Sequence, residues 1–165
     1  MEMRVYIANL GKYNEGELVG AWFAPPISFT EVAEKIGLNS EYEEYAIHDY
    51  ELPFEVGEFC SIDEVNRLCV AAELIDDRLL FDNMQTVISH FGFSGVEDLS
   101  DHMDDIIVHS CDSLENLAME YVDEGLFGEI PSSLVGYIDY AAIARDMEIE
   151  GMYLSLSGGI VEWRQ

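Results

Sequence analysis

Positive charge is scarce in this sequence: seven Lys and Arg stand against 34 Asp and Glu, leaving a formal net charge of -27. No Lys or Arg occurs between Arg78 and Arg145, and from Tyr13 to Asn66 the only one is Lys35. A chain of this sign is not expected to bind nucleic acid, whose phosphates require a basic surface. Long apolar runs are missing as well. The hydrophobic stretches are short and broken by acids, whereas a membrane span needs ~20 predominantly apolar residues. The start, MEMRVYIANL, lacks the basic, apolar and small-residue order of a secretory signal. A cytoplasmic location without membrane association is therefore expected.

Cysteine is scarce too. Cys60, Cys69 and Cys111 are odd in number and far apart, which suits neither a disulfide framework nor a CxxC site. Reduced, mostly buried thiols are expected. The sequence contains no GxxxxGK[ST], GxGxxG, HExxH, GxSxG or EF-hand loop, so the best-specified nucleotide, protease, hydrolase and calcium chemistries have no anchor. His48-Asp49, and His102 and His109 among Asp101, Asp104 and Asp105, are the residues of the right type for a divalent metal. On one helix, however, seven residues separate His102 from His109 by ~10.5 Å, too far for a shared ion. Carboxylates are so abundant that no acid/base pair stands out. We assign no catalytic residue, no metal and no cofactor, and expect a protein that is not an enzyme.

Folding capacity, by contrast, is ample. With 49% hydrophobic and 12% aromatic residues, the chain is unlike an acidic disordered tail, and its charge must sit on folded structure. Self-repulsion at this net charge opposes compactness. A solvated face, salt adaptation or a cationic partner would each account for it, although the many Ile, Leu, Phe and Tyr residues weigh against salt adaptation. Tyr42, Tyr45, Tyr50, Tyr121, Tyr137 and Tyr140 lie among acids, and core packing is the expected role for most of them.

The pattern of elements is α+β. RVYIANL and LVGAWFA are β-rich runs on either side of the turn-forming KYNEGE, and a hairpin is expected. SFTEVAEKIGL carries Ser28 and Glu31 at capping-box spacing with Gly37 as its stop, and EEYAIHDYEL reads as a third strand. SIDEVNRLCVAAELI places Ile62, Val65, Leu68, Cys69 and Ala72 at helical spacing. NMQTVISHF and VEDLSDHMDDIIVHS continue as helices. The last third reads as a helix from about Asp112 to Glu124 closed by Gly125, a helix through AAIARDM, and a hairpin turned at Gly158-Gly159. The expected architecture is three small subdomains: 1–60 and 106–165 as α/β ends, and 61–105 as a helical middle.

Charge is concentrated locally. Glu97, Asp98, Asp101, Asp104 and Asp105 include several i,i+3 and i,i+4 pairs, and like charges at those separations weaken a helix by a few tenths of a kcal/mol each. Duplex DNA carries one charge per ~1.7 Å of axis, so 27 excess charges at that density would cover about 46 Å. Carboxylates spaced in this way could replace phosphates in the groove of a DNA-binding protein.

EEYAIHDYELPF, and more strongly YVDEGLFGEIPSSLVGYIDYAAIARDMEIEGMY, resemble the ArdA antirestriction proteins carried by conjugative plasmids and transposons. RVYIANLGKYNEGELVGAWFAPP resembles that family's start, and the likeness runs in order along nearly the whole chain. The resemblance implies a three-domain, elongated DNA mimic, dimeric through its C-terminal region. It also implies occupation, without catalysis, of the DNA-binding groove of type I restriction-modification enzymes, at the methyltransferase core of specificity and modification subunits. The family's antirestriction motif corresponds here to Leu126, Phe127, Gly128, Glu129, Ile130, Pro131, Leu134, Val135, Tyr137, Ile138 and Tyr140. Its side chains are largely apolar and cannot imitate phosphate, so packing or a homodimer interface is the expected role. For the phosphate-like surface, clustering selects Glu41, Glu43, Glu44, Asp49, Glu97, Asp98, Asp101, Asp104, Asp105, Asp112, Glu115, Asp123 and Glu124. The competing expectation is an acidic interaction module for another basic DNA-binding or histone-like protein.

Overall fold

The computed structural model describes residues 2–165, and these form two compact units that meet in sequence at Asp76 and Asp77. That boundary falls inside the 61–105 stretch which the sequence sets apart as a helical middle. Among the described residues, two three-stranded antiparallel sheets, one in each unit, and eight α-helices make the protein α+β.

In the first unit, β1 (Arg4–Asn9) lies between β2 (Gly20–Phe23) and β3 (Tyr45–Glu51). Val5 and Ile7 alternate onto the face that buries them, as the two-residue period of a strand requires. The expected hairpin of β1 and β2 forms, pairing Val5 with Phe23 and Ala8 with Gly20. Its connection is not a simple turn, because a short helix, α1 (Leu10–Asn14), runs into KYNEGE. The cause is Asn9, a fully buried residue whose Oδ1 accepts the Lys12 N–H at 3.1 Å and so caps that helix. Its Nδ2 donates to the carbonyls of Ile36 and Gly37, at the end of α2 (Phe29–Ile36). Helix α2 ends at Gly37 as expected, where φ of +72° suits glycine. Ser28 occupies its N-cap position without a side-chain capping bond, so the capping box holds by position only. In α3 (Ile62–Glu73) the cap is made, with Ser61 accepting the Glu64 N–H.

The second unit begins with α4 (Arg78–Asp82), a short helix with no counterpart in the sequence reading, capped by Asp77 through the Leu80 N–H. Helices α5 (Met84–Phe91) and α6 (Val96–Asp101) follow. The helix expected across VEDLSDHMDDIIVHS stops at Asp101. Met103–Asp105 tighten into a 3-10 turn, and Ile106 to His109 form β4. Ile106, Ile107 and Val108 are β-branched, and they pair antiparallel with β6 (Gly159–Trp163), which outweighs the helical continuity of the acids before them.

Strand β6 is the centre of the second sheet, between β4 and β5 (Tyr153–Leu156), and the expected C-terminal hairpin pairs Leu156 with Gly159. A Cβ at Gly159 would stand 2.8 Å from the His109 carbonyl oxygen, which explains glycine there. Against one sheet face pack α7 (Leu114–Asp123) and α8 (Tyr140–Glu150), around Leu117, Ala118, Tyr121, Met147, Tyr153 and Ile160. On the other face Trp163 meets Phe93, with ring centroids 4.6 Å apart.

All three thiols are free; Cys69 and Cys111 are buried and Cys60 is half-buried. Among the tyrosines, Tyr121 is buried and Tyr42, Tyr45, Tyr50 and Tyr140 are half-buried. Tyr137 departs from the expectation of core packing, with 86% of its surface exposed. Among the described residues, no helix is long and apolar enough to cross a membrane.

Candidate functional site

In the first unit, the candidate carboxylates occupy the approach to β3 and its exposed side. Asn39 Oδ1 accepts the N–H groups of Glu41 and Tyr42, an Asx turn that fixes the loop carrying Glu41, Glu43 and Glu44. Tyr42 donates its hydroxyl to Glu15 at 2.9 Å, so the loop also leans on α1's end. Asp49 projects from β3 and accepts its neighbour's Tyr50 N–H. All four candidate acids are exposed.

In the second unit, Asp101, Asp104, Asp105, Asp112, Glu115, Asp123 and Glu124 are exposed, and Glu97 and Asp98 are half-buried. The expected like-charge strain on one long helix is not what the backbone shows. Glu97 and Asp98 sit in the first turn of α6, where the helix dipole favours anions, while Asp104 and Asp105 lie beyond the helix end. Asp98 is a local cap as well as a surface acid. It accepts the Ser94 N–H at 2.8 Å and the Ser94 hydroxyl at 3.1 Å, bonds that hold its carboxyl below the usual range. His102 Nδ1 lies 2.8 Å from the Asp98 carbonyl and 3.3 Å from its carboxylate.

The scarce cations are placed elsewhere. Arg4 pairs with Glu51, Arg67 with Glu64, Arg78 with Asp82 and Arg164 with Glu162, all carboxylates outside the candidate set. Of the 34 acids, only Glu162 is buried, and Asp77, Glu97 and Asp98 are half-buried; the others face solvent. The result is a carboxylate surface on each unit.

The Leu126 to Tyr140 segment is irregular apart from a 3-10 turn at Val135–Tyr137 and its last residue, which begins α8. It leaves α7 through Gly125, with φ of +76°, and the Leu126 N–H reaches back to the Tyr121 carbonyl. Leu126, Phe127, Leu134, Val135 and Tyr137 are exposed apolar residues. Gly128, Glu129 and Pro131 are exposed too, and Ile130 and Ile138 are half-buried. Tyr140, half-buried, packs against the unit's core, and the Phe127 ring lies 6.4 Å from that of the core residue Tyr121.

Sequence reasoning missed a buried polar cluster in the same unit. Glu162 accepts hydrogen bonds from Tyr121 Oη at 2.9 Å and Arg164 Nε at 3.1 Å, and His109 Nε2 stands 2.8 Å away. Burial pushes this carboxyl up, but Arg164, His109 and Tyr121 together hold it below the ordinary carboxylate range. The available signal was strand alternation: in GIVEWRQ, Glu162 shares the core face with Ile160. His102 and His109 therefore serve separate local contacts, and among the described residues no group of three or more His, Cys, Asp and Glu is placed to hold a metal ion.

An α+β chain that displays carboxylates over both units and buries a single acid is, in class, an anionic-surface protein. The sequence model of the ArdA antirestriction proteins matches residues 5–162, nearly the whole chain, and the protein belongs to that family. No curated protein matches it.

Proposed function

We propose that this antirestriction protein is a DNA mimic that inhibits type I restriction-modification enzymes without catalysis. The observation that carries the proposal is the exposure of almost every carboxylate on a folded chain with seven cations. A groove whose Lys and Arg side chains pair with phosphates can pair with surface carboxylates in their place, and needs no base-reading contact to do so. Glu41, Glu43, Glu44 and Asp49 in one unit, with Glu97, Asp98, Asp101, Asp104, Asp105, Asp112, Glu115, Asp123 and Glu124 in the other, supply the charge. The target is the methyltransferase core of specificity and modification subunits, in the cytoplasm. The apolar Leu126 to Tyr140 segment serves self-association into a homodimer, which would double the carboxylate surface.

The test is displacement of a labelled duplex from a purified type I methyltransferase core, with salt varied. Displacement that weakens steeply as salt rises is expected. Unchanged DNA binding with excess protein at low salt would refute the proposal, and recovery of only a histone-like protein in a pull-down would redirect it.

A further inference from the structure

A carboxylate surface alone gives diffuse attraction, yet the first unit also presents an exposed aromatic side chain from an anchored turn, in a groove lined by two of its acids. Phe59 is 73% exposed. Single exposed apolar residues are ordinary on protein surfaces; what distinguishes Phe59 is how it is held. The Cys60 N–H donates to the Gly57 carbonyl at 3.0 Å, closing a turn with Phe59 at its third position. The Ile47 N–H in β3 donates to the Glu58 carbonyl at 2.8 Å, tying that turn to the sheet.

Phe59 forms one wall of an open groove whose other residues are Leu10, Glu43, Glu44 and Tyr45. Its floor is equally fixed. The Leu10 N–H bonds to the Glu44 carbonyl at 3.0 Å, and the Tyr45 hydroxyl accepts the Ile62 N–H at 3.1 Å at the start of α3. The turn carrying Phe59, the apolar floor and the backbone of Glu44 are thus held around one groove, so little backbone ordering remains to be done when a guest enters.

The guest with matching chemistry is a guanidinium. Its flat face stacks on an aromatic ring while its edge donates to carboxylates, which a compact ammonium does less well. The chain builds the same arrangement within itself: the Arg4 guanidinium lies 4.8 Å from the Trp22 ring centroid while donating to both oxygens of Glu51 at 2.6 and 2.7 Å.

We infer that the Phe59 groove seats one arginine side chain of the basic partner surface, as an anchor within the otherwise diffuse carboxylate contact. The inference rests on the DNA-mimic proposal for the identity of the partner. Anchors of this kind lose about tenfold or more in affinity on truncation, whereas surrounding contacts lose little.

The test is displacement of duplex from a type I methyltransferase core by wild type, Phe59→Ala, Phe59→Leu and Phe59→Trp. In parallel, a tetra-arginine peptide and a tetra-lysine peptide are titrated into the 15N-labelled proteins. Phe59→Ala and Phe59→Leu should each lose about tenfold in displacement with an unchanged salt slope, and Phe59→Trp should retain it. Tetra-arginine should shift the amides of Leu10, Tyr45 and Phe59 in wild type, more than tetra-lysine does, and not in Phe59→Ala. Displacement by Phe59→Ala within about twofold of wild type would overturn the arginine anchor and leave DNA mimicry standing. Peptide seated at Phe59 by a protein that never displaces DNA would keep the arginine seat and remove the DNA-mimic proposal. Peptide shifts indifferent to Phe59 would overturn the seat itself.

Discussion

Glu162 Oε2 lies 2.8 Å from His109 Nε2, joining the centre of the second sheet to its neighbouring strand through side chains as well as backbone. Tyr121 from α7 and Arg164 close the same carboxylate from other sides. A chain that exposes nearly all its acids keeps this one inside, where it orders three elements.

Removing that charge should therefore be a stability experiment. Glu162→Gln is expected to cost about 2–3 kcal/mol at neutral pH, since hydrogen bonds to a buried charged group are lost or weakened. The folded pKa is depressed, so the stabilisation is present above the unfolded carboxyl value and is lost as pH falls through the lower folded value. Urea midpoints of wild type and variant should thus differ at pH 7 and converge toward pH 3. A constant difference would mean that the loss is one of shape and not of charge.

Asn9 offers a comparable test in the first unit. It is fully buried, and its amide serves the start of α1 and the end of α2 together. Asn9→Ala removes a helix cap and leaves two carbonyls without that donor, for an expected loss of about 2–4 kcal/mol. Asn9→Asp keeps the cap acceptor but buries a charge and turns a carboxylate oxygen toward the Ile36 and Gly37 carbonyls, so at neutral pH it should unfold at a lower temperature than Asn9→Ala.

The exposed apolar segment separates stability from assembly. Tyr137 and Leu134 project into solvent in the single chain, so Tyr137→Asp and Leu134→Asp should leave its stability within about 0.5 kcal/mol. If the segment joins two copies, sedimentation of these variants should show a larger monomer fraction. A full dimer that no longer inhibits would assign the segment to the enzyme contact.

Much of the fold is legible in the sequence because its signals are local. Gly37 and Gly125 end helices where φ must be positive, and Gly158-Gly159 turns the last hairpin. The expected helix across IIVH fails because β4 is fixed by a strand some fifty residues later, whose register no local pattern reveals. Helix α4 is too short for a period to show, and α1 depends on one buried asparagine. For the candidate site, exposure of most acids follows from composition. The double duty of Asp98, the seclusion of Glu162 and the anchoring of the turn that carries Phe59 all depend on contacts beyond any local sequence pattern.

Charge placement makes a graded prediction for the candidate acids. Surface ion pairs are individually worth ~0–1 kcal/mol, so neutralising Glu41, Asp49, Asp104 or Glu124 alone should weaken displacement of DNA by no more than about fivefold. Neutralising several together should lower the salt slope roughly in proportion to the number removed. One such change that abolished inhibition with the fold intact would contradict a contact shared over many carboxylates.

Asp98 should behave differently from those acids, because its carboxylate is engaged within the chain. His102 is held above the ordinary imidazole range, first by the Asp98 carbonyl and then by the carboxylates of Asp98, Asp105 and Asp101. With the folded pKa raised, this contact's contribution is full below the unfolded imidazole value and fades as pH rises through the folded one. NMR titration should place His102 above a free histidine. Asp98→Asn keeps the carbonyl and removes one charge, so it should lower the His102 value only in part, while also loosening Ser94 at the start of α6. An unmoved His102 in that variant would show that Asp105 and Asp101 supply the field, and would leave Ser94 as the group that engages the Asp98 carboxylate.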